Sequence, residues 1–182
     1  MMMAPMFKMR MITTVFALIP AIASAYEAKP TIVVGDIGLH CPYEVLASEP
    51  APDTEIGAID VIAGDPTVVS TTTTVPAIQH LGFGFQARLA DGIKLPGAEI
   101  VVRHPPMGTD GVTEQRWTPS LSDQDFSLGM YRFDMPYEVL IGEWSFAIEQ
   151  AGQTHFSVTF DVVPAPVGMS IESLCSGDML LS

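Results

Sequence analysis

Short runs in which apolar and polar residues alternate fill the chain after residue 30, and they constrain its fold more than any other feature. In 154–163 the apolar residues Phe156, Val158, Phe160 and Val162 occur at every second position. Successive side chains of a strand point to opposite faces of a sheet, so this period of two predicts half-buried antiparallel strands. Similar runs predict strands at 31–36, 57–62, 68–75, 82–89, 98–104, 113–118, 129–134 and 142–149.

The spacing of these strands favours one all-β architecture. Turn signals such as Asp91-Gly92 and Asp110-Gly111 separate them, and no helical period persists for ten residues after the first 25. Eight or nine short strands at near-regular spacing predict a single antiparallel β-sandwich of the immunoglobulin-like or fibronectin-like kind. A small up-and-down β-barrel is the alternative. Residues 44–56 are acidic and broken by proline, which predicts a loop.

The first 25 residues predict export. Lys8 and Arg10 precede an apolar run, and the small residues Ala23-Ser24-Ala25 fit a signal-peptidase site. The alternative, a membrane anchor, needs about 20 apolar residues, and this run is shorter and contains Pro20. We therefore expect a signal peptide at 1–25, a periplasmic or secreted location, a sandwich domain at 26–165 and a C-terminal tail at 166–182.

The net charge of the predicted exported part limits the classes of partner that it can bind. Residues 26–182 keep six of the eight Lys and Arg and all 21 Asp and Glu, which gives a formal charge of −15. A chain this acidic repels phosphate backbones and anionic lipids, so nucleic-acid and membrane-surface binding are disfavoured. No second segment is long and apolar enough to span a bilayer.

Two cysteines, Cys41 and Cys175, lie 134 positions apart. An even number in an exported chain favours a disulfide, whereas cysteine metal sites usually show paired spacings such as C-x-x-C. Buried free thiols and metal ligands are the alternatives. A bridge would attach the C-terminal tail to the start of the domain.

The most distinctive segment after the leader contains His104, Pro105, Pro106, Met107 and Asp110. Two consecutive prolines predict a stiff, extended loop between two strands, and we expect this loop to be exposed and to recognise a partner. Changing its histidine and methionine together to alanine should then alter stability by no more than about 1 kcal/mol.

The second hypothesis for this segment is a copper site. His104 and Met107 are the ligand types that copper takes in exported proteins, and Met130 and Met135 offer further sulfur. Two soft residues do not make a site by themselves, so these remain weak metal candidates. The residues give no reason to expect any cofactor.

Enzymatic signatures are missing from the sequence. It contains no G-x-S-x-G, S-x-x-K, H-E-x-x-H or phosphate-binding glycine motif. A hydrolase that uses an acid pair is the third hypothesis, because Asp53, Glu55, Asp60 and Asp65 cluster in sequence, as do Asp123 and Asp125. No acid pair stands out among them, and solvated acidic loops explain both clusters better.

Several short motifs lie between residues 57 and 163. They are Val75-Pro76, Leu81-Gly82-Phe83-Gly84-Phe85, His104-Pro105-Pro106, Tyr131-Arg132-Phe133, Pro136-Tyr137-Glu138 and Gly142-Glu143-Trp144-Ser145-Phe146. Together they resemble the bacterial domain-of-unknown-function family numbered 3859, over roughly residues 57–163. The resemblance implies one exported all-β domain and no activity, cofactor or catalytic residue. Because enzymatic signatures are missing, we expect a non-enzymatic module that binds an envelope protein or component.

Overall fold

A computed structural model describes residues 26–64, 66 and 68–176. The predicted signal peptide at 1–25 lies outside these residues. The regular structure of the described chain is almost entirely β-strand, and no helix in it is long and apolar enough to cross a membrane. Its elements are β1 (Tyr26–Ala28), β2 (Ile32–His40), β3 (Val45–Pro50), β4 (Ala58–Ile62), β5 (Val68–Ser70), β6 (Thr74–Pro76), β7 (Gly82–Leu89), β8 (Glu99–Met107), β9 (Val112–Trp117), β10 (Ser127–Arg132), a 3-10 helix (Pro136–Glu138), β11 (Gly142–Gln150), β12 (Gln153–Val163) and α1 (Ile171–Cys175).

Two sheets form the sandwich. The first has the strand order β1-β12-β11-β8-β9, with β6 also paired to β12, and the second has the order β10-β7-β2-β5. The strands β3 and β4 form a separate antiparallel hairpin. The predicted all-β sandwich is confirmed, and the barrel alternative is wrong because the two sheets remain separate. All strand pairs are antiparallel except β12 and β6, which run parallel.

The inward faces of both sheets supply an aromatic core. Phe83 of β7 contacts Trp144 and Phe146 of β11 and Phe160 of β12, with ring centroids 5.3–5.6 Å apart. All four side chains are fully buried. The apolar positions predicted in 82–89, 142–149 and 154–163 therefore all lie in the core, and burial of their aromatic rings is a large apolar gain. Gly82, Gly84 and Ala147, on the opposite faces, are buried as well.

Two segments differ from the sequence-based expectation. The predicted strand 68–75 is two strands, because the chain leaves the second sheet after Ser70 and joins the first at Thr74. The predicted loop 44–56 contains β3, whose six residues are all exposed. None of these three strands shows a clear one-sided apolar pattern, because β3 has no buried face and β5 and β6 are only three residues each.

The segment with two prolines also differs. Strand β8 continues through Pro105 and Pro106 to Met107, and only 108–111 form the turn before β9. His104 is 6% exposed and Met107 is fully buried. The expectation of an exposed loop that starts at His104 is therefore wrong. The ladder between β8 and β9 shifts register between Arg103 and Met107, and this irregularity accommodates residues that cannot donate a backbone hydrogen bond.

Cys41 and Cys175 form the predicted disulfide, with their Cα atoms 5.8 Å apart. Cys41 follows directly after β2, and Cys175 ends α1. Ile171 and Leu174 of α1 pack against the core beside the bridge. The described part of the C-terminal tail is therefore attached both covalently and by apolar contact.

Candidate binding groove

A cavity of about 640 Å³ lies between the β3–β4 hairpin and the edge strands β9 and β10. We call it the groove. Each sheet of the sandwich ends on this side, so its walls come from the hairpin, from the two edge strands and from the segment 118–127 that links them. Its walls carry both carboxylates and aromatic rings. The lining includes Tyr43, Glu49, Glu55, Ile56, Ala58, Asp60, Gln115, Trp117, Thr118, Asp125, Phe126, Tyr131, Arg132, Asp134 and Glu138.

Arg132 of β10 attaches the hairpin to the sandwich. Its guanidinium donates to Asp60 of β4 over 2.9 Å and to Asp134 over 2.5 Å. The same group lies over the ring of Tyr43 at 4.5 Å. Burial raises the pKa of the Tyr43 phenol to about 12 and exceeds the opposing influence of Arg132. One wall of the groove is thus a fixed ion-pair cluster with a neutral phenol beside it.

Gln115 of β9 connects the groove to the buried end of β8. Its side-chain oxygen accepts from the backbone N–H of Glu55 at 2.8 Å, and its nitrogen donates to Nε2 of His104 at 2.9 Å. The other ring nitrogen of His104 lies 2.8 Å from the carbonyl oxygen of Pro105, which assigns the proton to Nδ1. Burial lowers the pKa of His104, so the neutral ring is favoured.

Tyr131 and Glu138 extend this network on the floor of the groove. The hydroxyl of Tyr131 lies 3.1 Å from Oε1 of Glu138 and 3.5 Å from the sulfur of Met107. The second oxygen of Glu138 accepts from the backbone N–H of Met135 at 2.8 Å. Burial raises the pKa of both the Glu138 carboxyl and the Tyr131 phenol. These contacts hold β10 and the 3-10 helix in a fixed relation.

The acidic character of the groove is pronounced. Among the described residues, six carboxylates and one arginine line it, which gives a formal charge of −5. Asp60 and Asp134 are paired with Arg132, and Glu138 is hydrogen-bonded. The remaining carboxylates, on Glu49, Glu55 and Asp125, have no hydrogen-bond or ion-pair partner within the described chain.

The structure brings some of the predicted site residues together and separates others. His104 and Met107 both contact Gln115, but their nitrogen and sulfur atoms already take part in hydrogen bonds. Met130 lies on the opposite face of β10 from Tyr131, and Met135 is 47% exposed. Within the described residues, no group of three or more His, Cys, Asp or Glu side chains could hold a metal ion.

The acidic clusters of the sequence divide in a similar way. Glu55, Asp60 and Asp125 line the groove. The backbone carbonyl of Asp53 accepts from Arg116 of β9, and Asp123 accepts from the backbone of Gly92. Asp65 lies outside the described residues.

Sequence reasoning missed Arg132, Gln115 and Glu138 as groove residues. The sequence contained one usable signal for Arg132: residues 26–182 hold six basic residues and 21 acidic ones, so each arginine is expected to pair with a carboxylate. No such signal exists for Gln115 or Glu138. Their roles depend on β9 and β10, which are the edge strands of the two sheets on the same side of the sandwich.

Comparisons with known proteins agree with the fold. A family model described as Domain of unknown function (DUF3859) matches residues 29–162. Among solved structures, an immunoglobulin-like protein from Pseudomonas aeruginosa matches with a TM-score of 0.50 and 20% identity, covering 79% of this chain and 100% of that one. At this identity the likeness shows the fold alone. No curated protein matches the chain significantly.

Proposed function

The chain belongs to the family Domain of unknown function (DUF3859), and from this premise we propose that it is an exported, non-enzymatic module that binds a cell-envelope partner in the groove. The observation that carries the proposal is the groove itself. Binding sites in proteins are typically preformed clefts of about 300–1,000 Å³ with a few convergent polar groups. The 640 Å³ groove falls within that range.

The walls support binding more than turnover. Arg132 is paired with both Asp60 and Asp134, and Glu138 accepts hydrogen bonds from the hydroxyl of Tyr131 and the backbone of Met135. Charged groups that neutralise one another hold the shape of a site and are poorly placed to transfer protons. A preformed site also lowers the ordering cost when a partner binds.

Export rests on the sequence of residues 1–25 and is supported by the disulfide, since such bonds persist in oxidising compartments. Sequencing the N-terminus of the protein from the periplasmic fraction should recover Tyr26. Recovery of Met1 from that fraction would reject the cleavage site.

The binding proposal can be tested by filling the groove. Ala58→Trp on β4 and Thr118→Trp after β9 each introduce a large ring into the lining. The matched control is Thr159→Trp, which adds the same ring to an exposed position of β12 outside the groove. Affinity capture from solubilised envelope should recover a partner with the wild type and the control but lose it with both groove variants. Equal recovery by all four proteins would overturn the proposal.

A further inference from the structure

We propose that the groove binds an extended polypeptide segment of its partner that carries lysine or arginine side chains. This inference rests on the proposed function and adds the chemistry of the ligand. It is carried by two independent properties of the lining, its uncompensated negative charge and its aromatic rings.

The negative charge of the groove favours a positively charged ligand. Glu49, Glu55 and Asp125 have no partner within the described chain, and they come from three different walls: β3, the hairpin loop and the segment before β10. A cleft lined by one sign of charge focuses its field and raises the local concentration of oppositely charged groups. Arg132 is the one cation among the described residues of the lining and is already paired twice, so an anionic ligand would meet no unpaired cation among them.

Aromatic rings supply the second property. Trp117, Phe126 and Tyr43 line the same cavity as the unpaired carboxylates. Ring faces attract ammonium and guanidinium groups, and arginine is the more frequent partner. Two of these rings already make such contacts, Tyr43 with Arg132 at 4.5 Å and Phe126 with Arg88 at 5.9 Å. A basic side chain of a ligand would therefore meet the same combination of carboxylate and ring that holds Arg132.

The rim of the groove favours a polypeptide over a small amine. Ile56 is 58% exposed, and Met135 and Tyr137 next to the buried Glu138 are 47% and 44% exposed. Tyr137 also lies close enough to Glu55 for that carboxylate to help raise the pKa of its phenol, after the larger effect of burial. An extended peptide places apolar and basic side chains in alternation, and it could cover this apolar rim while its basic groups enter the groove.

The test uses three defined probes and the folded exported chain. The probes are a heptapeptide of alternating lysine and valine, the same peptide with glutamate for lysine, and spermine. Titration calorimetry measures affinity, and tryptophan fluorescence reports on the groove because Trp117 lines it whereas Trp144 is fully buried. We expect the lysine peptide to bind, with affinity that falls as ionic strength rises, and the glutamate peptide not to bind.

A charge variant separates this inference from the proposed function. A triple variant should bind the lysine peptide with an affinity ~10-fold lower or more, the scale expected when close charges are lost. Its substitutions are Glu49→Gln, Glu55→Gln and Asp125→Asn. The control neutralises Glu27, Glu143 and Asp161, which are exposed on β1, β11 and β12. That control makes the same change in net charge and should leave affinity within ~2-fold.

Each other outcome has a definite meaning. Equal affinity for the two peptides, or equal losses of affinity in the groove and control variants, would overturn the proposal that the ligand is cationic. Binding of spermine but of neither peptide would overturn the proposal that the ligand is a polypeptide. If filling the groove with Trp abolishes partner capture while neutralising its carboxylates does not, the proposed function stands and this inference fails.

Discussion

The guanidinium of Arg132 donates to the carboxylate of Asp60 over 2.9 Å, and this ion pair joins β10 of the sandwich to β4 of the separate hairpin. Only 14% of the Arg132 side chain and 25% of the Asp60 side chain are exposed, so solvent screens the pair incompletely. The hairpin has no ladder pairing to either sheet. The pair is therefore a main attachment of one wall of the groove.

Asp60→Asn should lower the free energy of unfolding by about 1–2 kcal/mol, because a hydrogen bond between charged groups becomes one to a neutral amide. Amide hydrogen exchange should rise most in β3 and β4, since the hairpin loses this anchor. The control Asp161→Asn, on the exposed face of β12, should leave both measurements nearly unchanged. Unchanged exchange in the hairpin would show that the ion pair does not hold it.

Removal of the disulfide should destabilise the fold. Cys41→Ser with Cys175→Ser opens a loop of 134 residues, and the expected cost is about 2–5 kcal/mol in urea unfolding. Exchange should increase first in α1, which the bridge attaches to the end of β2. Wild-type protein from the periplasm should show no free thiol when denatured without reductant. Two titratable thiols in that protein would refute the bridge.

Shortening the buried side chains at the end of β8 should lower the free energy of unfolding substantially, contrary to the expectation for an exposed loop. Met107→Ala removes a fully buried side chain, with an expected loss of about 2–5 kcal/mol. His104→Ala removes the nearest acceptor of the Gln115 amide, at an expected cost of about 1–3 kcal/mol. The exposed Pro106→Ala is the control and should change stability by much less.

The same two variants test the copper hypothesis. Metal analysis of wild-type protein purified from the envelope gives the direct measurement. Stoichiometric copper in the wild type that disappears from a folded His104→Ala variant would support a metal site in place of the binding module. A metal-free wild type would leave the hydrogen bonds to Gln115 and Pro105 as the role of His104.

Acid should destabilise the protein partly through His40. This ring is fully buried, and neither nitrogen has a hydrogen-bond partner within the described chain. Burial lowers the pKa of His40 and outweighs the backbone of Pro66 and the charge of Asp36, which raise it. At pH values between this lowered folded-state pKa and about 6.5, the unfolded chain therefore binds more protons than the folded chain. Stability is therefore lost as the pH falls below about 6.5, and the loss levels off below the folded pKa.

Replacing the ring tests this share of the pH dependence. His40→Phe and His40→Leu should each lose less stability between pH 7 and pH 5 than the wild type does. Loss should remain in both variants, because burial also lowers the pKa of His104 and His155. His80→Asn is the control, since this exposed residue has a φ of 70°, which asparagine tolerates. An identical pH profile in the wild type and both His40 variants would exclude His40.

The alternation of residues by itself determined the fold class. In 82–89, 142–149 and 154–163 the apolar residues occupy every second position, and these are the strands whose inner faces form the aromatic core. A period of two is a local property of the chain, so it can be recognised without knowing which strands are neighbours. The disulfide was equally accessible, since two cysteines allow only one intramolecular pairing.

Only the tertiary structure decided which residues form the groove. Arg132 and Asp60 are 72 positions apart, and they meet because β10 ends one sheet while a hairpin packs beside that edge. The burial of His104 and Met107 has the same origin, because it depends on Gln115 and Tyr131 from two other strands. Sheet order and sheet ends follow from long-range packing, and the local pattern that specifies each strand carries no information about them.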